Sequence, residues 1–273
     1  MVSPLVLISA ALVPFVQAQS NPTLDIAAIE AHFAGAGLTP SLLPSFNPTA
    51  ALTVTYTGVG NISPGQALTQ AQVQTAPTLL LEPANSSVPF TGKYTLIMAD
   101  AGPPGTDETK GQTRHWLVNG ATVSAGNTVS LDGATAITEY AGPAPPSGSG
   151  VHRYVIMLFV QPAMFVPPTG FNQPNMGVSV FNLEDYVTSA NLGTPVAGNY
   201  LTVEEGTATF SASPTTAIVS STLSGMSTAS KSSPSNAPSG GAAAQTPHAN
   251  SAFQITGSSF NGLLAFVFGF LIV

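Results

Sequence analysis

The sequence predicts an all-β protein: an antiparallel β-sandwich with a few short helices at its periphery. Two observations carry this. "LTVTYTGV" alternates with period two, while "KYTLIMAD", "RHWLVNG" and "HRYVIMLFV" are apolar runs rich in aromatic and β-favouring residues. Clusters of Gly and Pro separate these runs: "AGPPG", "GPAPPSGSG" and "PPTG". Many strands with few helices indicate sheets packed face to face.

In chain order, residues 1–18 read as a signal peptide. Leu5 to Val16 is an apolar core too short to span a membrane, and Val16 and Ala18 supply the small residues of a cleavage site. The alternative is a buried strand or helix opening the domain. Residues 19–210 form the one folded domain. Asn21-Pro22 caps a helix whose Leu24, Ala28, Ile29 and Phe33 keep helical spacing until Gly35 and Gly37; His32 on it is a solvated or packed residue. The four strands follow. Asn61-Ile62-Ser63 and Asn85-Ser86-Ser87 fit the N-glycan acceptor pattern, with Pro64 hindering the first. Asn182 caps a second helix with Glu184 and Asp185 in its first turn, apolar Leu183, Tyr186, Val187 and Ala190, and Gly193 as its stop.

Residues 211–250 are Ser, Thr, Ala, Pro and Gly with one Lys, a composition that cannot offset chain entropy and reads as a disordered, O-glycosylated stalk; His248 belongs to it. Residues 251–273 end in an apolar run to Val273. Small residues around Asn250 and a polar spacer before that run fit a glycosylphosphatidylinositol attachment signal with Asn250 as the attachment residue. A short tail anchor or a peptide packed on the domain is the other reading. Together the two ends predict a secreted chain on the extracellular face of the plasma membrane or cell wall, held to the membrane by a lipid anchor.

With Lys plus Arg 5 against Asp plus Glu 12, no basic face for nucleic acid can be built. The absence of Cys removes thiolate nucleophiles, disulfides and Cys-ligated metals. There is no Gly-x-Ser-x-Gly elbow, no His-Glu-x-x-His helix and no Walker loop. The chain is therefore not expected to be an enzyme or to carry a cofactor, although His115, His152 and Asp100 could pose as part of a metal site.

Each of the two Arg sits beside a His: Arg114-His115 and His152-Arg153. Strand alternation puts His152 and Tyr154 on one face and Arg153 on the other, and turns His115 away from Arg114. Asp100 ends its strand at a stiff Pro/Gly turn. A carboxylate, two imidazoles and a phenol at strand ends can line one small pocket. On spacing alone, the blander reading of each His as a strand-edge residue satisfied by backbone is favoured.

The blocks "YTLIMADAGPP", "RHWLVNG" and "YAGPAPPSGSGVHRYVIMLF" resemble the phosphatidylethanolamine-binding protein family. "ISPGQALTQAQVQTAPTLLLEP" and "FNLEDYVTSANLGTPVAGNYLTVE" extend the resemblance over about residues 50 to 205. It implies a β-sandwich with a pocket at one end for an anionic small molecule or phospholipid head group. Asp100, His115, His152 and Tyr154 would line it, with Gly142, Pro145 and Pro146 in the wall loop. Gly102 stands where the family has a second acid, Ala101 where it has a Pro, and Ala144 where it has a Gly; the ligand is altered, or the pocket is idle. Because some relatives block proteases or kinases, inhibition of a target protease through surfaces around the pocket is the alternative. Arg153 is expected to tie its strand to a loop on the scaffold side.

Overall fold

The computed structural model describes residues 21–218 apart from 86 and 88. The signal segment, Asn250 and the attachment signal lie outside the described residues. The chain opens with α1 (Pro22–Gly35), where Pro22 starts the helix and the Asn21 side chain accepts from the Leu24 amide at 3.4 Å. Its Ile26, Ala28, Ile29 and Phe33 are buried. Then follow β1 (Ala50–Tyr56), β2 (Gly60–Asn61), β3 (Gln66–Ala67), β4 (Thr78–Pro83), β5 (Tyr94–Asp100), β6 (Gln112–Val123), β7 (Val129–Ser130), β8 (Thr135–Thr138) and β9 (His152–Val160). β10 (Ser179–Phe181), α2 (Leu183–Ser189) and β11 (Ala197–Val203) close the domain. Asn182 caps α2 by accepting from the Asp185 amide at 2.9 Å. The first left-handed residue after α2 is Asn191 (φ 53°), ahead of the expected stop at Gly193.

The strands form a small sheet, β2-β1-β4, and a large one, β10-β6-β5-β9-β11-β3, with β7 and β8 also on β6. The pairings are antiparallel except β11 with β3. The central strands β5 and β9 are buried on both faces. Leu96, Met98, Tyr154, Ile156 and Leu158 pack between the sheets against Leu52, Val54 and Leu81. Ile97, Ala99, Val155, Met157 and Phe159 face the other way, onto Phe33, Leu183 and Tyr186 of the two helices. The short helices thus close a second core of their own. This is why "TLIMA" and "YVIMLF" read as continuous apolar runs rather than alternating ones.

After β11 the chain does not leave the domain at residue 210. Backbone bonds hold it to the loop before β9 (Thr209 N to Gly148 O, 3.0 Å), to the turn after β5 (Ser213 N to Pro104 O, 3.0 Å) and to the end of α1 (Thr216 N to Gly35 O, 2.8 Å). Composition is blind to this contact because backbone groups make it. Among the described residues no helix is long and apolar enough to cross a membrane. Asn61 and Asn85 are both exposed.

Candidate functional site

β5 ends and β9 begins at the same edge of the fold, with Asp100 opposite Tyr154 in register. His152 Nδ1 lies 2.8 and 3.0 Å from the two Asp100 oxygens. A carboxylate only accepts, so Nδ1 carries the proton and Nε2 is the acceptor of the neutral ring. Asp100 is fixed in turn by the Gly102 amide, 2.7 Å from Oδ1. Gly102 has φ 61°, and a Cβ there would come 2.5 Å from Thr106 Oγ1. That local geometry explains why no acid stands at this position.

Tyr154 lies under both imidazoles. Its ring stacks on His152 (6.3 Å, 24°) and meets His115 edge-on (5.1 Å, 87°). Its side chain is fully buried and its hydroxyl has no hydrogen-bond partner among the described residues. The Asp100 carboxylate and the Ala144 amide are near enough to bias its ionisation without making a well-formed bond. Burial first, and then Asp100, push its pKa well up, so it remains a neutral donor.

His115 reaches this place through a β-bulge. The β5–β6 register jumps from Met98↔Trp116 to Ala99↔Arg114, so His115 is the extra residue. Trp116 packs between the sheets and His115 turns to the same side, against Tyr154. Bulges re-aim side chains in this way. His115 Nδ1 donates to the Ala141 carbonyl at 3.0 Å, and the Ala141 amide returns a bond to His115 O at 2.9 Å.

The structure therefore brings Asp100, His115, His152 and Tyr154 together. The wall loop is more mixed. Pro145 is buried and Pro146 exposed. Gly142 is turned to the chain around Val73, where a Cβ would sit 2.7 Å from the Val73 carbonyl. Ser149, which sequence reasoning passed over, has its Oγ 2.9 Å from His152 Nε2 and also donates to the Pro146 carbonyl. The signal for it is the spacing Ser149-Gly150-Val151-His152, in which Gly150 at φ 82° bends the hydroxyl back over the ring. None of the four polar residues lines the cavities at Asn119–Gly120, at α1 and β1, or beside the loop before β9. The last of these, about 510 Å³, borders that loop through Gly150 and Val151. Among the described residues no group of three or more His, Asp or Glu is placed to hold a metal ion.

Neither Arg points to solvent. Arg114 is buried, bonded to Thr138 Oγ1 and the Gly177 carbonyl, and lies 5.3 Å over the Phe171 ring. Arg153 is buried on the helix side of β9, bonded to backbone carbonyls of α1's end and the Asp100 turn. Glu108 touches it at 3.4 Å and accepts from Gln112 Nε2 at 3.0 Å. Burial raises the Glu108 pKa and outweighs the opposing influence of Gln112 and Arg153. An acid raised in the fold contributes stability at low pH and loses it as pH rises through the folded value. Glu108→Gln is thus expected to unfold in urea at or above the wild-type midpoint at neutral pH, with an advantage that vanishes on acidification. A midpoint well below wild type at neutral pH would show that the ion pair outweighs burial.

A profile of the phosphatidylethanolamine-binding protein family matches residues 44–211. The 26 kDa secreted antigen of Toxocara canis is 31% identical over 62% of this chain and 61% of its own length, so this chain spans about three fifths of that relative. CEN-like protein 1 of Nicotiana tabacum is 30% identical over 61% of this chain and 88% of its own. Among solved structures, carboxypeptidase Y inhibitor in complex with its cognate proteinase shares the fold at TM-score 0.53 and 23% identity, covering 66% of this chain and 95% of the inhibitor. A phosphatidylethanolamine-binding protein from Plasmodium vivax does so at TM-score 0.50 and 17% identity, covering 68% and 100%.

Proposed function

The chain belongs to the phosphatidylethanolamine-binding protein family, and from that premise we propose that its domain binds an anionic small molecule or phospholipid head group beside Asp100, His115, His152 and Tyr154. The observation that carries this is the Tyr154 hydroxyl, a buried donor without an acceptor. A buried donor left unpaired costs roughly 1–3 kcal/mol, which a ligand oxygen would offset. His115 and His152 each keep Nε2 on the side away from their carbonyl or carboxylate partner. When protonated, His115 Nε2 becomes an additional donor to an anion, and His152 Nε2 does so where the anion displaces Ser149 Oγ. Secretion belongs to the same reading, supported by the secreted Toxocara relative, and a lipid anchor at Asn250 with N-glycans at Asn61 and Asn85 joins it on their sequence patterns alone. Contact with an extracellular protease around the pocket is the second reading, supported by the fold shared with carboxypeptidase Y inhibitor.

Titration of phosphate, acetate and phosphoethanolamine by calorimetry tests this. Wild type is expected to bind more tightly as pH falls, because a protonated imidazole attracts an anion. His152→Ala should lose about ten- to a hundredfold in affinity, corresponding to roughly 1–3 kcal/mol for a charged hydrogen bond. Tyr154→Phe should lose affinity while unfolding no more easily than wild type in ligand-free buffer, since it deletes a donor that has no partner. Equal binding by wild type and His152→Ala would remove the pocket from the account. No binding to wild type, with inhibition of a protease, would favour the second reading.

A further inference from the structure

We infer that Ser149, His152 and Asp100 form a nucleophile, base and orienting group able to cleave small carboxylic esters. Ser149 Oγ sits 2.9 Å from His152 Nε2, and His152 Nδ1 sits 2.8 Å from Asp100 Oδ2. This is the hydrogen-bond order an activated serine requires, recognised by geometry and roles rather than by a motif. The Asp100 carboxylate fixes the tautomer, so the basic nitrogen of the neutral ring is the one facing the hydroxyl. Asp100 is itself held by the Gly102 amide, and the ring is backed by Tyr154. Ser149 and His152 are both half-buried rather than sealed in the core.

The Ser149 proton has two acceptors, His152 Nε2 and the Pro146 carbonyl. Attack requires the hydroxyl to turn from Pro146 O to Nε2, so the first step is gated by a simple rotation. The Ser149 oxygen then bonds to the ester carbonyl carbon as its proton passes to Nε2. The carbonyl oxygen takes the negative charge as the tetrahedral intermediate forms. Collapse breaks the bond to the leaving alcohol, which receives the proton from Nε2 and leaves an acyl ester on Ser149. A water molecule, deprotonated by His152, attacks that ester; the acid departs and Ser149 regains its proton.

The inference uses the same His152–Asp100 pair as the anion site but does not depend on an anion binding there. Its pH dependence has the opposite sign: nucleophilic attack needs neutral His152 and quickens as pH rises, whereas anion binding strengthens as pH falls. The full chain is treated with a fluorophosphonate probe, and the labelled peptide is mapped by mass spectrometry. p-Nitrophenyl acetate then serves as substrate. The expected result is a label on Ser149, and a nitrophenol burst matching the protein concentration. Ser149→Ala should abolish both while keeping wild-type circular dichroism. His152→Ala and Asp100→Asn should slow labelling about 10²–10⁴-fold. A label on another residue, a burst surviving in Ser149→Ala, or no label on a folded wild type would overturn it. Phosphate binding without labelling would leave the anion site standing alone, and labelling without phosphate binding the reverse.

Discussion

Replacing Arg153 by Met is expected to cost about 3–5 kcal/mol of folding stability, the range for removing one partner of a buried ionic network. Arg153 is 3% exposed. Its Nε donates to Gly102 O at 3.0 Å, Nη1 to Ala36 O at 2.8 Å and Gly37 O at 3.2 Å, and Nη2 to Ala101 O at 2.8 Å and Pro103 O at 3.2 Å. One planar fork thus ties carbonyls at the end of α1 to carbonyls along the turn that carries Asp100. Its charge also complements the negative end of the helix dipole. Burial lowers its pKa from the ordinary value, but a guanidinium keeps its proton in a protein. Met fills comparable space yet leaves the Ala36 and Ala101 carbonyls without the fork, while those of Gly37, Gly102 and Pro103 keep Ser41 Oγ, Arg153 N and Thr106 as donors. Arg153→Lys keeps the charge without the fork and should recover only part of the loss. Urea unfolding gives the comparison, with Glu108→Gln as the mild neighbour. A loss for Arg153→Met of under ~1 kcal/mol, ordinary for a surface change, would mean that the network is ornamental. Because the same turn positions Asp100, any folded Arg153→Met protein should also bind phosphate more weakly.

The residues that made the fold legible are those whose side chains decide their own environment. "YVIMLF" is apolar without interruption because β9 has a core on each face, and Asn21-Pro22 and Asn182 announce helix starts through their own capping chemistry. Period two separates His152 and Tyr154 from Arg153, and the structure has this separation. Simple alternation cannot account for His115, since the bulge puts it on the same side as its neighbour Trp116. A bulge depends on the partner strand's register. Arg153 shows a different blindness: its acceptors are carbonyls remote in sequence, so its depth is set by tertiary closure alone. Ser149 leaves only its short spacing to His152 across Gly150 as a trace, and the docking of residues 205–216 rests on backbone groups that leave none. The shared logic is that polar roles filled by main chain are invisible until the chain is folded.

Phe33→Ala is expected to cost about 3–5 kcal/mol, the range for emptying an aromatic site in a packed core. Phe33 is fully buried, stacked on Phe46 at 4.0 Å and 14°, and edge-on to Tyr200 at 5.7 Å and 89°. It is the aromatic contact between α1 and the large sheet, beside the Arg153 bonds to the helix end. The sheet makes room for it at Gly198 of β11, where a Cβ would lie 3.3 Å from Phe33 Cζ, 3.2 Å from Phe46 Cζ and 3.2 Å from the Ile156 carbonyl. Gly198→Ala should therefore overpack and cost roughly 1–3 kcal/mol by itself. In the double variant the new methyl occupies part of the space Phe33 vacates, so the combined loss should fall short of the sum. It should not vanish, because the Ile156 carbonyl and Phe46 still crowd that methyl. Urea unfolding of the four proteins measures the coupling, and strict additivity would reject the notch. The anion site adds a second reading of the same proteins. Tyr154 packs between the sheets while Phe33 lies on the other face of the large sheet. A folded Phe33→Ala protein should accordingly keep wild-type phosphate affinity. Arg153→Met, whose fork holds both α1 and the Asp100 turn, should lose stability and affinity together.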